Sequence, residues 1–532
     1  MKSVCIGSDV ATMAEAVRQA YAEGQEDELF EPIVAVDSRG SGYGRIREGD
    51  CVIFYNIRGE REVQLTQALM ESDFPHFSRA SGLPARMATM IEYQEGLPVR
   101  VAFPPIGRVG NTLGEALSRH GIRQVRVVES EKAIHVSFFF NGKAADPFPL
   151  EDRVFVRSNR DVVNFDELPE MSISEVADIL VEKLRDGAYP FVLGNFANVD
   201  VVGHMEDDGA VARAIRAVDA HTGIVVKEAQ KQGYLTLITA DHGTVEKRRY
   251  PDGTIDTGHS DSPVPFLLIP PKGRAGIELR SGGSLVDVAP TILEILGVPI
   301  PGEMTGSSLV AGPERVASAA GRMFDRKPRV LLLILDGWGY QSTRQGNLIA
   351  ETPTPVMDSL MGSYPWTLLG AAGLAVGMPE GSVGNSECGH LHLGAGRVIP
   401  SDRVRIDQAI HTGGFCENEV FRWAMAPCRG GKGALHLLGI VSFYSSHGSL
   451  DHLFALMEMA KREGVKRLYI HSLLGRRGEK PASGAIYVDQ VEKKALELGL
   501  GEVVTVMGRY WALDREHNWD RIEKAYRALT GD

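Results

Sequence analysis

The longest uninterrupted apolar stretch in the chain, Val330–Leu335 (VLLLIL), ends directly on Asp336. Short runs that are apolar at every position predict strands buried on both faces of a parallel sheet. Leu235–Thr239 (LTLIT) and Phe191–Leu193 read the same way. Val211–Lys231 has a helical pattern and stops before Gly233, which predicts a helix. The alternation of strand and helix patterns predicts an α/β protein with a mainly parallel sheet. Val310–Arg329 fits neither pattern. It is polar, rich in Ala and Gly, holds Pro313 and Pro328 near its ends, and reads as a linker. GSGYG at 40–44 lies between two strand-like runs with no helix after it, so it reads as a turn and not as a phosphate loop. Lys247–Arg249 reads as a solvated basic run.

Length and charge narrow the picture. At ~150 residues per domain, 532 residues suggest two to four domains. With 43% hydrophobic and 24% charged residues, disorder and small disulfide scaffolds are excluded. A net charge of −12 lacks the basic footprint of a nucleic-acid binder, so an anionic substrate needs a local cluster of Arg, Lys or metal. The five cysteines are scattered and form no CxxC, which predicts reduced thiols in a cytoplasmic protein. The first residues show no apolar signal core, and the longest apolar run is far too short for a bilayer, so neither secretion nor membrane insertion is expected.

Several apolar runs lead into metal-ligating residue types. NFANVDVVGH sets Asp200 and His204 four apart, just beyond the Phe191–Leu193 run. TADHG puts Asp241 and His242 at the end of Leu235–Thr239, DGWG puts Asp336 at the end of Val330–Leu335, and TGHSDSP adds His259. Loops beyond the carboxyl ends of parallel strands converge on one crevice. Three carboxylates and three imidazoles gathered there need a counter-charge, which one or two divalent cations supply. Such a mixed donor set suits Mn²⁺ or Zn²⁺ better than Ca²⁺. A single Asp-His pair would be an ordinary hydrogen-bonded pair; the set of motifs points to a metal centre. GNSECGH presents Ser386 among small residues. Its bland reading is a helix N-cap. Its sharper reading is a nucleophile toward phosphorus, activated by a metal at its oxygen.

With these motifs stand NIRGER, ESEKAIHVSFFFNG, LPEMS, GRYWALDRE and the PVPF that follows His259. Together they resemble the cofactor-independent (2,3-bisphosphoglycerate-independent) phosphoglycerate mutases of the alkaline phosphatase superfamily, over nearly the whole chain. The resemblance implies an alkaline-phosphatase-like α/β domain with a mainly parallel sheet and helices on both faces, at residues 106–400. It implies a second, transferase-like α/β domain built from residues 1–105 and 401–532 and joined to the first by two hinges. It places Asp200, His204 and His259 on one cation, and Asp241, His242, Asp336 and the Ser386 oxygen on the other. Ser386 becomes phosphoserine, and Lys132 neutralises the phosphoryl oxygens. Arg58, Arg61, Arg509 and Arg515 hold the substrate's carboxylate and phosphate, with Arg477 kept beside them and His447 near the phosphate. The implied enzyme is an isomerase of glycolysis and gluconeogenesis. It interconverts 3-phosphoglycerate and 2-phosphoglycerate with two divalent ions (Mn²⁺ first, Zn²⁺ or Co²⁺ as alternatives) and without bisphosphoglycerate. It is a cytoplasmic monomer with no nucleic-acid or membrane partner.

The chain departs from that family in order and in detail. DGWG and GNSE open the family's chains, whereas here Asp336 and Ser386 follow the DxxxH and TADHG motifs, as in a circular permutant whose linker, 310–329, joins the usual ends. The family's Asp-Gly-Arg-Asp is Gly475-Arg476-Arg477-Gly478 here, and its Ser-Asp-Gly-Gly-Val-His is Ser442-Phe443-Tyr444-Ser445-Ser446-His447. Three outcomes stay open: Glu479 replaces the lost carboxylate and the mutase reaction is kept; the substrate is another phosphorylated hydroxy acid; or the chain is a phosphatase or phosphotransferase. A metal-binding pseudoenzyme is the reading from another class.

Overall fold

The computed structural model describes residues 2–5, 12–79, 84–159, 164–272, 277–311, 327–442, 447–475 and 482–531. They form two compact units, Met1–Pro105 with Asp402–Asp532, and Ile106–Ser401. Arg477 and Glu479, and most of the 310–329 stretch, lie outside the described residues.

In chain order the strands are β1 (Lys2–Cys5), β2 (Ile33–Val36), β3 (Cys51–Phe54), β4 (Arg86–Ile91), β5 (Arg100–Phe103), β6 (Gln124–Glu129), β7 (Glu151–Val156), β8 (Phe191–Phe196), β9 (Leu235–Thr239), β10 (Val264–Ile269), β11 (Gly283–Ser284), β12 (Val330–Leu335), β13 (Trp366–Gly370), β14 (Leu435–Ile440), β15 (Leu468–Leu474) and β16 (Glu502–Gly508). In the unit of residues 106–401 their order is β11-β13-β10-β9-β12-β8-β6-β7. Strands β7, β6, β8, β12 and β9 run parallel, β10 runs against β9 and β13, and β11 pairs parallel with β13. The other unit has the order β1-β2-β16-β15-β14-β3-β4-β5, parallel except where β16 meets β2. Each sheet has its own apolar core, around Leu193, Leu237 and Leu332 in one unit and Ile53, Leu437 and Ile470 in the other. Fully buried strands of this kind explain why their sequences run apolar without alternation.

The strand expected over Phe191–Leu193 continues to Phe196. Gly194 interrupts the apolar run because Leu180 and Leu333 pack 2.7 and 3.2 Å from where its Cβ would stand. The helix expected over Val211–Lys231 begins earlier, at Asp208, where the Asp207 side chain accepts from the Gly209 and Ala210 N–H groups; an N-cap of this type starts a helix before its apolar face begins. Residues 40–44 form a turn in which the Asp37 carboxylate accepts from the Arg39 and Ser41 N–H groups, with left-handed Gly40 and Gly44. The basic run is corrected: Lys247 and Arg249 are exposed, but Arg248 is fully buried. Its guanidinium binds Asp208 at 2.9 Å and the Gly203 carbonyl at 2.7 Å, with further bonds to the Met205 and Asp256 carbonyls. A charge-run rule misses this because it ignores carbonyls that only the folded chain presents. No described helix is long and apolar enough to cross a membrane.

Candidate functional site

Lys132, Asp200, Asp241 and Asp336 all lie just past the carboxyl ends of parallel strands, β6, β8, β9 and β12. Because β10 runs the other way, the loop before it delivers His259 to the same edge of the sheet. Ser386 opens the helix Ser386–Ala395, but it is not the N-cap. Asn385 takes that role, accepting from the Cys388 N–H at 2.9 Å, which leaves the Ser386 hydroxyl available. A helix N-terminus also favours negative charge on the group it faces.

The side chains meet in one buried cluster. The Lys132 ammonium donates to Asp200 Oδ2 at 2.6 Å, Asp336 Oδ1 at 2.7 Å and Ser386 Oγ at 2.6 Å, which uses its three hydrogens. The Ser386 oxygen also lies 2.9 Å from His242 Nε2. His242 Nε2 is 3.4 Å from Asp241 Oδ2 and 3.6 Å from Asp200 Oδ1. His259 Nε2 is 3.2 Å from the same Asp200 oxygen and 3.1 Å from His204 Nε2. All six expected ligands and the serine are therefore brought together.

This arrangement fits divalent cations. The Nδ1 atoms of His204, His242 and His259 each face a backbone carbonyl, of Thr257, Gly243 and Gly384 at 2.8, 3.2 and 3.0 Å. Donating there leaves every Nε2 as a lone pair turned into the cluster, the tautomer a metal needs. Asp241 Oδ2 is buried without a hydrogen-bond partner. Asp200, His242 and His259 can share one ion, and Asp241, His242 and Asp336 a second. The charges call for one as well. Burial and repulsion from Asp241 push the Asp336 carboxyl above its ordinary range, against the pull of Lys132. Burial opposes the charge on Lys132, yet Asp336, Asp200 and Asp241 together hold its ammonium above the usual value.

The expected anion-binding residues belong to the other unit. Arg58 and Arg61 follow β3, while Arg509 and Arg515 follow β16. Glu60 joins Arg515 at 2.6 Å and Arg58 at 3.9 Å, and Arg61 donates to the Leu513 carbonyl at 3.3 Å. Arg509 stands apart from this group, buried and paired with Glu28 at 3.0 Å. His447 is buried beside Glu62, 3.1 Å from its carboxylate, and its carbonyl accepts from the Ile57 N–H at 2.7 Å.

Sequence reading passed over three residues that frame the cluster, Asn195, His390 and Glu246, and misread a fourth, Arg248. Asn195 donates to Asp336 Oδ2 at 2.9 Å and faces His390 Nε2 at 3.1 Å. Buried Glu246 accepts from the Thr244 N–H at 2.9 Å and bonds Ser260, tying together the loops that carry His242 and His259. Arg248 clamps the carbonyls on either side of His204. The available signal for His390 was its spacing, one helical turn after Ser386; nothing local marked the other three.

Two family models match the chain. The metalloenzyme superfamily covers residues 6–300, and "BPG-independent PGAM N-terminus" covers residues 406–532, downstream of the first. A curated relative from Moorella thermoacetica, a 2,3-bisphosphoglycerate-independent phosphoglycerate mutase, is 41% identical over 305 residues, 57% of this chain and 58% of that protein. A protein of the same name from Thermomicrobium roseum is 44% identical over 319 residues, 58% of this chain and 60% of that one. The match thus spans under two thirds of these relatives' length. A Leishmania mexicana phosphoglycerate mutase structure at low cobalt concentration aligns with 28% identity and a TM-score of 0.38, over 52% of this chain and 53% of that one.

Proposed function

The chain belongs to the metalloenzyme superfamily, and from that premise we propose that it interconverts 3-phosphoglycerate and 2-phosphoglycerate through a phosphoserine at Ser386. The observation that carries the reading is the Ser386 hydroxyl, 2.6 Å from a buried ammonium and 2.9 Å from His242, inside a carboxylate–imidazole cluster. Asp200, His204 and His259 would hold one divalent cation and Asp241, His242, Asp336 and Ser386 the other, Mn²⁺ before Zn²⁺ or Co²⁺; when bound they lower the serine's pKa and neutralise phosphoryl charge. Ser386 Oγ forms the bond to phosphorus as the ester bond to the substrate's O3 breaks. Return to O2 regenerates the serine, so no bisphosphoglycerate is consumed. Lys132 meets the charge on the phosphoryl oxygens. Arg58, Arg61, Arg515, Arg509 and Arg477 bind the carboxylate and phosphate, as guanidinium forks do, and His447 assists. Glu479 takes the hydroxyl proton in place of the carboxylate absent at Gly478. The enzyme is read as a cytoplasmic monomer. Because the motifs keep their cyclic order, we also read the chain as circularly permuted, with residues 310–329 joining the ends that other family members leave open.

The missing acids at Gly475 and Gly478 favour a second reading, a phosphatase or a mutase for another phosphorylated hydroxy acid. Incubation with Mn²⁺ and 3-phosphoglycerate, followed by phosphorus NMR, separates them. 2-Phosphoglycerate is the expected product. Free phosphate alone supports the phosphatase, and no turnover with no phosphoserine overturns the reaction on 3-phosphoglycerate; the same null result across other phosphorylated hydroxy acids and a generic phosphate ester overturns the second reading too, in favour of a pseudoenzyme.

A further inference from the structure

Asn195 and His390 touch the metal cluster without belonging to the ligand set, and their hydrogens can be assigned by elimination. As a carboxylate, the form that holds a cation, Asp336 Oδ2 can only accept, so the atom 2.9 Å away is the amide nitrogen of Asn195. The second hydrogen of that nitrogen faces His390 Nε2 at 3.1 Å, which must then offer its lone pair. The His390 proton therefore sits on Nδ1, where it meets the Ser386 carbonyl at 2.9 Å and flanks Asp241 Oδ2 at 3.2 Å. Both side chains are fully buried, so no water substitutes for these partners at low cost.

We infer that Asn195 and His390 are positioning residues for one cation only, the ion assigned to Asp241, His242, Asp336 and Ser386. Between them they reach Asp336, the Ser386 backbone and the flank of Asp241; among the described residues neither contacts Asp200, His204 or His259. Asn195 holds the Asp336 carboxylate by one oxygen and leaves the other, Oδ1, facing Lys132 and Ser386. His390 fixes the face on which Asn195 presents its hydrogens, and it sits one turn from Ser386 on the same helix, so the end of β8 is tied to the nucleophile's own element. The inference rests on the ligand assignment proposed above. Outer partners of metal ligands are typically worth 10–100-fold in affinity.

The test is Mn²⁺ titration of the full chain by calorimetry and electron paramagnetic resonance, with thermal melts confirming folding. The wild type is expected to take up two ions. In Asn195→Leu and in His390→Leu, one affinity should fall about 10–100-fold and the other stay unchanged. Because His390 both orients Asn195 and flanks Asp241 directly, the double variant should lose more than either single variant but less than the sum of the two losses. Should Asn195→Leu fail to fold, Asn195→Ser removes the donor with less apolar bulk and is read by the same criteria. Unchanged affinities, an equal fall in both, or additive losses overturn the inference while leaving the ligand set standing. A wild-type chain that takes up no Mn²⁺ overturns the ligand set itself, and this inference with it.

Discussion

The metal cluster and the arginine group are built to different standards. Asp241, His242 and Asp336 have side chains with no exposure at all, each held by further hydrogen bonds, whereas Arg58 and Arg515 are nearly half exposed and share one carboxylate, Glu60. Burial makes each misplaced charge expensive, and the cluster's groups are accordingly paired with one another, Asp241 Oδ2 excepted. Exposed ion pairs contribute about 0–1 kcal/mol, so on the proposed reading Arg58 and Arg515 would give up Glu60 to an incoming anion at little cost.

The sharpest way to break this contrast is Ser386→Ala. It should lower mutase turnover on the order of 10⁴–10⁶-fold, as removal of a nucleophile does, and leave metal uptake weakened but present. Turnover that survives in that variant rejects the covalent route. Next in size, Glu479→Gln should cost about 10²–10⁴-fold in kcat, the usual worth of general acid–base help; an unaltered rate removes Glu479 from the proton's path. Arg61→Ala should raise KM about 10–100-fold, from the loss of charged hydrogen bonds worth about 1.5–3 kcal/mol, and leave Mn²⁺ affinity unchanged. A change in metal affinity there would erase the distinction between the two regions.

The smallest effect is a pH dependence of opposite sign with and without metal. Its hydrogen bond to Asp200 raises the His204 imidazole above its ordinary value, burial opposing. In the metal-free chain that charged pair is present below pH about 6.5 and disappears as pH rises through the raised value, so thermal stability should decline there. Mn²⁺ must displace the same proton, so its affinity should rise over that interval, by up to about tenfold per pH unit. Calorimetric titrations and melts at pH 6, 7 and 8 check both slopes; parallel slopes would remove His204 from the ligand set.

Strands β9 and β12, and the placing of Asp241 and Asp336 just past their ends, were legible because a buried parallel strand writes itself as an unbroken apolar run and stops where its polar residue begins. The end of β8 was not, since Gly194 and Asn195 carry packing and hydrogen-bonding roles that look like a loop. Arg248 was misread because its partners, the carbonyls of Gly203, Met205 and Asp256, have no sequence signature. The nearness of Asn195 to His390 depends on a fold that joins residues far apart in the chain. The pairing of Arg58 and Arg515 through Glu60 is of the same kind, a contact between loops after β3 and β16.

The order β1-β2-β16-β15-β14-β3-β4-β5 has a consequence for biosynthesis. Residues 2–103 emerge from the ribosome with two fragments of sheet, β1–β2 and β3–β4–β5, which among the described residues are joined by strands between residues 435 and 508. All of residues 106–401 must be translated first, an interval on the order of 15–60 s at 5–20 residues per second. Meanwhile the edge of β3, apolar at all four positions, stands unpaired. The nascent chain therefore carries an open, sticky strand while its middle unit completes itself, and a chaperone that shields early-emerging edges should matter more to its yield than one that acts on the finished protein.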